Sequence, residues 1–186
     1  MSRALVVIDV QNEYFQGRLP IYNTETSLPN ILKAMDHARA RGIPIAVIQH
    51  TNLLKDAVTF RKGSPEWELH PEVAKRPHDV LIEKNMPGSF TGTELENWLR
   101  NKGVDTVVIA GYMAHLCCDT TSRQAVHLGF SVEFLADATG TIPLKTDWGE
   151  LSAEELHRNV LIIQAARFSK VLRTADWVEQ AVSVQH

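Results

Sequence analysis

The stretch MSRALVVIDV, residues 1–10, opens the chain and decides the type of sheet that the rest must form. Residues 5–8 are uninterruptedly apolar and mostly β-branched, and the run ends at Asp9. Short runs rich in β-branched and other apolar residues recur at residues 45–48, 106–109 and 132–135, with shorter ones at 80–82 and 171–172. Continuous apolarity, without alternation, predicts strands that are covered on both faces, as in a parallel sheet.

Between these runs lie segments with the apolar spacing of amphipathic helices, among them residues 31–38, 95–99 and 125–128. These three helices are each expected to end at a glycine before the next strand, namely Gly42, Gly103 and Gly129. The pairs Thr93 with Glu96 and Ser152 with Glu155 have the spacing of capping boxes at helix starts. We therefore expect a long helix over residues 152–168, and a final helix over 174–182.

This alternation of strands and helices predicts the fold class. Right-handed crossovers would give a mainly parallel, roughly six-stranded sheet between two helix layers, a three-layer α/β/α sandwich of Rossmann-like type. Because no linker or low-complexity tract interrupts the chain, residues 1–186 are expected to form a single domain. Residues 51–75 and 140–151 show no clear periodicity and are expected to be loops that cover a site.

Composition narrows the possible partners. The net charge is only −3 with both signs mixed along the chain, so nucleic acid is not expected as a partner. The first apolar run is too short for a signal peptide or a membrane span, which predicts a cytoplasmic protein with no membrane partner. The two cysteines, Cys117 and Cys118, are adjacent, which disfavours a disulfide between them and fits a reducing compartment.

Polar residues follow several of the predicted strands, at the edge where parallel sheets bind ligands. Asp9 closes the first strand, His50 the second, Lys84 follows the short strand at 80–82, and Cys117 follows the strand at 106–109. A catalytic thiol needs a cation, a base or a helix N-terminus nearby, and this arrangement offers all three. Lys84 would favour the thiolate, while Asp9 would accept the thiol proton and later activate water.

Three blocks of sequence carry a resemblance to a known family. They are ALVVIDVQNEYF at residues 4–15, EKNMPGSFTGTELENWLR at 83–100 and VVIAGYMAHLCCDTTSRQA at 107–125. Through them the chain resembles the isochorismatase-like cysteine hydrolases, which include nicotinamidases, carbamoyl-amide hydrolases and isochorismatase. The resemblance implies the α/β fold of that family and covers most of the chain.

In that family the three blocks supply an aspartate, a lysine and a nucleophilic cysteine, which fall here on Asp9, Lys84 and Cys117. The resemblance further implies a cis peptide between Tyr112 and Met113, and an oxyanion hole made of the backbone N–H groups of Met113 and Cys117. Cys118 falls where relatives have an aliphatic residue, so it is interpreted as packing. Ala114 stands where many relatives carry threonine, which is expected to alter the support of the turn or the substrate contacts.

The resemblance implies hydrolysis of a C–N bond in a small molecule, such as an amide, lactam, carbamoyl or ureido group, through a thioester. Phe15, Phe90 and Tyr112 flank the three blocks and are candidates for an aromatic substrate slot, although core packing is the competing interpretation. The nicotinamidase branch carries an Asp-x-His pair after the second strand, whereas QHTNLLKDAVTF at residues 49–60 lacks it. We therefore expect no metal and no cofactor.

Two rival interpretations remain at this stage. Isochorismatase-type vinyl-ether hydrolysis would use the aspartate and lysine without a thiol, and the presence of Cys117 argues against it. From a different class, the chain could be a non-catalytic ligand-binding relative, or a thiol sensor using Cys117 and Cys118. The resemblance also implies a homo-oligomer, a dimer or tetramer, for which Trp177 and Val178 would offer an apolar contact.

Overall fold

The structure is a computed structural model, and it describes residues 2–180. In chain order the strands are β1 (Arg3–Ile8), β2 (Ile45–His50), β3 (Val80–Lys84), β4 (Thr106–Tyr112), β5 (Ser131–Gly140), β6 (Leu144–Thr146), β7 (Gly149–Leu151) and β8 (Lys170–Leu172). Six of them form one sheet in the order β3-β2-β1-β4-β5-β8, and every pair within it is parallel. The predicted sheet and its strands are thereby confirmed.

Helices cover both faces of the sheet. They are α1 (Thr24–Ala40), α2 (Pro71–Ala74), α3 (Leu95–Asn101), α4 (Asp119–His127), α5 (Ala153–Ile163) and α6 (Thr174–Gln180). One apolar core joins α1, α2 and α6 to alternate residues of the central strands, and a second core joins α3, α4 and α5 to the remaining ones. This division into two cores makes the three layers.

The structure confirms several of the helix ends that were predicted from the sequence. Gly42, Gly103 and Gly129 all have positive φ angles, at 66°, 65° and 86°, after the helices that they follow. Ser152 caps α5 through a complete capping box with Glu155. The helix expected over residues 152–168 is α5 continued by a π-helical turn at Gln164–Phe168. Residues 181 and 182, expected to end the final helix, lie outside the described residues.

The capping box expected at Thr93 and Glu96 is wrong. Helix α3 begins at Leu95, after an N-cap at Glu94 that makes no side-chain cap bond. The Thr93 hydroxyl instead donates to the Ser89 carbonyl at 2.6 Å. Its oxygen accepts from the Leu95 amide at 3.3 Å and not from that of Glu96. Glu96 pairs with an arginine one turn later in α3, so neither half of the capping box forms.

The two segments expected to be loops carry some regular structure. Residues 140–151 contain the antiparallel hairpin of β6 and β7, whose residues are largely exposed. Residues 51–75 contain the short helix α2, and Gln11 forms an isolated antiparallel bridge with Leu69. Both pieces are too short to show a periodicity in sequence.

Candidate active site

Three side chains from separate parts of the chain meet at the carboxyl edge of the sheet. The Lys84 ammonium lies 2.8 Å from Asp9 Oδ2 and 3.3 Å from the sulfur of Cys117. All three residues are nearly inaccessible, with exposed fractions of 0% for Asp9, 1% for Lys84 and 4% for Cys117. Because Lys84 ends β3, two strands away from β1, its side chain must reach past His50 of β2 to contact the carboxylate.

The backbone of Asp9 adopts a left-handed conformation, with φ at 51°. Non-glycine residues seldom do so, and such residues cluster at functional sites because the surrounding structure has to enforce them. Here the Asp9 amide donates to the Ile48 carbonyl at 3.0 Å, and the Asp9 carbonyl accepts from the Gln11 amide at 2.8 Å. Neither carboxylate oxygen receives a well-aligned hydrogen bond from the described residues. The contact between the Asp9 carboxylate and Lys84 is an ion pair, and the carboxylate oxygens keep lone pairs that can accept a proton.

Lys84 stays charged in this enclosed setting. Burial lowers its pKa, but the Asp9 carboxylate and then Cys117 raise it, and the net shift of the Lys84 pKa is upward. The ammonium also donates to the Met86 carbonyl at 3.1 Å and lies 3.4 Å from Nδ1 of His50. Four acceptors therefore surround one ammonium, which fixes its position.

Cys117 lies in a π-helical turn, Ala114–Cys118, that runs directly into α4. The expectation of a thiolate in the resting protein differs from what the structure indicates. Burial and then the Asp9 charge raise the pKa of the Cys117 thiol, Lys84 lowers it only in part, and the resulting pKa is about 12. Desolvation outweighs the ammonium, so the resting sulfur carries its proton.

Cys118 is fully buried within the core that contains α3, α4 and α5. Burial, followed by the charges of Cys117 and Asp9, raises the pKa of its thiol well above the ordinary value. Its interpretation as a packing residue is confirmed by this position. Ala114, which stands where many relatives carry threonine, is also fully buried in that core.

The turn that precedes Cys117 is built on Met113. The peptide bond between Tyr112 and Met113 is cis. The Met113 carbonyl accepts from the amides of Leu116 and Cys118, both at 3.1 Å, which closes the turn. Oxyanion binding by the N–H groups of Met113 and Cys117 stays a prediction.

The three aromatic candidates lie in different places. Phe15 is partly buried, and its ring centre lies 5.9 Å from that of Tyr112 and 4.4 Å from that of His70. Tyr112 is fully buried and its hydroxyl is 2.8 Å from that of Ser27, so it packs in the core next to Phe15.

Phe90 packs away from the other two aromatic candidates. Its ring stacks at 6.1 Å on Phe130, which directly precedes β5 at the amino end of the sheet. Cys117 follows the opposite end of β4, so this packing holds Phe90 away from the cluster of Asp9, Lys84 and Cys117. A substrate contact by Phe90 stays a prediction, and the packing that the structure shows is the competing interpretation.

Gln11 and His50 contact the site, and no definite role could be assigned to either of them from the sequence. Gln11 is fully buried; its side chain accepts from the His50 amide and donates to the His50 carbonyl, both at 2.9 Å. It also donates to the Trp67 carbonyl at 2.7 Å. Burial and then Lys84 lower the pKa of His50, so its ring is neutral. The feature of the sequence that pointed to His50 was its position at the end of a predicted strand.

The segment at residues 51–75 packs over this edge. Trp67 Nε1 donates to the Thr51 hydroxyl at 2.8 Å, and the amide of Asn12 donates to the Glu68 carbonyl at 2.9 Å. A polar recess of about 450 Å³ lies between this segment and the turn after β1. Its lining includes Arg18 and Arg61, and none of the three clustered side chains.

Within residues 2–180, no group of three or more His, Cys, Asp or Glu side chains has the geometry to hold a metal ion. The same residues contain no helix long and apolar enough to span a bilayer. A cytoplasmic location, the absence of cofactors and the oligomeric state stay predictions.

A wholly parallel sheet with helices on both faces and an ionic cluster at the strand ends defines a doubly wound α/β protein, a class whose ligands generally bind at that edge. Residues 3–176 match the family model described as Isochorismatase domain. The chain therefore belongs to the isochorismatase family of hydrolases, which has amidohydrolases among its members. This membership confirms the resemblance carried by the three blocks.

Individual relatives agree with this assignment. A crystal structure of a candidate isochorismatase from Burkholderia xenovorans LB400 superposes with a TM-score of 0.94 at 44% identity, covering 97% of this chain and 87% of the other. A secreted isochorismatase effector of Verticillium dahliae is 38% identical, over 73% of this chain and 71% of the effector. Nicotinamidase 3 of Arabidopsis thaliana is 30% identical, over 89% of this chain and 82% of the nicotinamidase.

Proposed function

We propose that this family member hydrolyses a C–N bond of a small amide-type molecule through a thioester on Cys117. The observation that carries the proposal is the placement of the Lys84 ammonium within 2.8 Å of the Asp9 carboxylate and 3.3 Å of the Cys117 sulfur. A base, a nucleophile and a charge-balancing cation in one enclosed space are the groups that acyl transfer requires. The amidase named among the relatives supports the same bond class.

The raised pKa of the Cys117 thiol means that the first step must include removal of its proton. Because sulfur is protonated at rest, the thiol transfers its proton to Asp9 as the S–C bond forms. The carbonyl oxygen becomes an oxyanion, for which the N–H groups of Met113 and Cys117 are the proposed donors. Lys84 holds sulfur and carboxylate in place and offsets the negative charge while the proton moves.

The intermediate then collapses toward products. Protonated Asp9 gives its proton to the leaving nitrogen, the C–N bond breaks, and the thioester remains on Cys117. Water, deprotonated by Asp9, attacks the thioester carbonyl. The C–S bond breaks, and the sulfur takes the proton back from Asp9. The sequence of steps returns all three side chains to their starting protonation states.

The test is a screen of small amides, lactams, ureas and carbamates, read by ammonia or amine release. The adjacent cysteines provide a matched pair, because Cys117 belongs to the cluster and Cys118 packs in the core. We expect Cys117→Ala to lose at least 10³-fold in turnover and Cys118→Ala to keep turnover within about tenfold. Hydrolysis by Cys117→Ala at the parent rate would refute covalent catalysis.

Vinyl-ether hydrolysis is the second candidate, favoured by the isochorismatase named among the relatives. That reaction needs the acid at Asp9 and no nucleophilic sulfur. Turnover of isochorismate that survives Cys117→Ala and disappears in Asp9→Asn would identify it. Loss of amide hydrolysis in both variants identifies the thioester route. A ligand-binding or sensor role would leave every substrate in the panel unhydrolysed.

A further inference from the structure

His50 is held beside the triad by contacts that leave one of its ring nitrogens unused. Gln11 fixes the backbone of His50 on both its amide and its carbonyl. Nδ1 of the ring faces the Lys84 ammonium at 3.4 Å, and Phe60 packs edge-on against the ring with centres 5.2 Å apart. Nε2 has no hydrogen-bond partner among residues 2–180, and His50 is the partly exposed residue at the end of an otherwise buried strand.

The tautomer of His50 follows from its neighbours. An ammonium donates only, so the nitrogen that faces Lys84 must present a lone pair. Nδ1 is then the acceptor, and the proton of the neutral ring lies on Nε2. The lowered pKa of His50 agrees with a ring that stays neutral near pH 7. Nε2 is accordingly an N–H donor without a protein partner, on a ring that is joined to the Cys117 sulfur through the Lys84 ammonium.

The charges around the site favour an uncharged ligand group. Asp9 and Lys84 balance one another, and the Cys117 thiol is neutral at rest. His70, the next histidine in the chain, also has a pKa lowered by burial, and its Nδ1 accepts from the Glu72 amide at 3.2 Å. No surplus positive charge remains among these groups, and the two arginines of the neighbouring recess, Arg18 and Arg61, share it with Glu13 and Glu66. An uncharged carbonyl would satisfy the free N–H donor at smaller desolvation cost.

We propose that His50 is a substrate-binding residue, whose Nε2–H donates to a second, uncharged carbonyl group of an amide substrate. This inference rests on the proposed function and adds the substrate class: small neutral amides with a further acceptor a few atoms from the scissile carbonyl. Gln11 acts as a positioning residue, since it holds the backbone from which the imidazole projects.

Two substitutions separate this role from mere support of Lys84. The amide of asparagine can replace Nδ1, and the longer glutamine can replace Nε2. His50→Gln therefore keeps a donor for the substrate, whereas His50→Asn keeps an acceptor for Lys84 and removes that donor. The probes are acetoacetamide and butyramide, which have the same chain length and differ in one ketone. Comparing their kcat/KM ratio across variants cancels the different intrinsic reactivities of the two amides.

We expect the preference for acetoacetamide over butyramide to fall about 10- to 100-fold in His50→Asn, mainly through KM, as for one lost hydrogen bond to substrate. In His50→Gln the preference should stay within about threefold of the parent. The opposite pattern, with His50→Asn unchanged and His50→Gln impaired on both amides, would assign His50 to Lys84 alone and overturn the proposal.

A second measurement does not depend on turnover. Either amide, at equal concentration, can protect Cys117 from iodoacetamide in the Cys118→Ala background. The proposal requires stronger protection by acetoacetamide in the parent and in His50→Gln, and equal protection by the two amides in His50→Asn. If neither amide is hydrolysed but protection follows this pattern, the proposed reaction fails and the binding role stands. Equal protection in the parent overturns the binding role.

Discussion

The ammonium of Lys84 and the carboxylate of Asp9 form an ion pair at 2.8 Å with both side chains completely shielded from solvent. Lys84 arrives from the edge strand β3 and Asp9 from the central strand β1, so the pair crosses the carboxyl edge of the sheet beneath Cys117. Buried ion pairs contribute little net stability, but loss of one partner leaves an uncompensated charge. Removing one partner and removing both partners should therefore have different effects on the free energy of unfolding.

Lys84→Met should reduce the free energy of unfolding by roughly 3 to 5 kcal/mol, because the Asp9 charge is left buried without its partner. The double variant Asp9→Asn with Lys84→Met should recover most of that loss while remaining inactive. Urea denaturation measures both changes. The exposed pair Lys62 and Glu83 is the control, and Lys62→Met should cost less than about 1 kcal/mol. Equal losses in the two single lysine variants would contradict the prediction.

The Cys117 thiol should titrate far above its ordinary value of 9.0, at about pH 12, because burial and the Asp9 charge disfavour its anion. Thiolate absorbance in the ultraviolet, measured in Cys118→Ala and corrected with the variant lacking both cysteines, follows this titration. Asp9→Asn removes the negative neighbour and should lower the midpoint. A midpoint below 9.0 in the parent would restore the resting thiolate and change the first chemical step.

His157 should make folding sensitive to mild acid. It is buried, Tyr22 O–H donates to its Nδ1 at 2.9 Å, and its Nε2–H donates to the Thr139 hydroxyl at 3.0 Å. Burial lowers the pKa of His157 from 6.5 to about 4. When folding lowers the pKa of a group, the stability that the group contributes is fully present above the pKa it has in the unfolded chain. That stability is lost as the pH falls through the pKa it has in the folded protein.

The contribution of His157 should therefore disappear between pH 6.5 and about 4, and it amounts to at most about 3 kcal/mol. Urea denaturation at a series of pH values measures it. His157→Gln removes the titrating group, so the stability of that variant should depend less on pH across this window. A parent and variant with parallel pH profiles would show that His157 does not govern acid sensitivity.

Gly111 should be far less replaceable than other glycines with positive φ. Its φ is 115°, and a Cβ there would lie 2.1 Å from the Ile8 carbonyl oxygen, where β4 pairs with β1 next to Asp9. Gly42 has a φ of 66° and open space around its Cβ position. Gly42→Ala should cost about 1 kcal/mol from backbone strain alone. Gly111→Ala should cost several times more and reduce activity, which denaturation and turnover measure together.

Much of the fold and the placement of the triad were predictable from short-range signals. Continuous apolar runs indicated a parallel sheet, because a strand buried on both faces cannot alternate polar and apolar residues. Once Asp9, Lys84 and Cys117 were assigned to strand ends, topology required that they share one edge of the sheet. The ends of β5 and the hairpin at residues 144–151 were less predictable, since strand pairing there depends on partners distant in sequence.

The sequence alone determined the parallel α/β class, the family resemblance and the set of side chains at the carboxyl edge of the sheet, because periodicity and strand-end position are local properties. Only the tertiary structure decided how those side chains interact. The protonated state of Cys117, the contact of His50 with Lys84 and the packing of Phe90 on Phe130 depend on burial and on distances of a few ångströms. Desolvation and Coulomb energies vary steeply over such distances, and these distances exist only after the chain has folded.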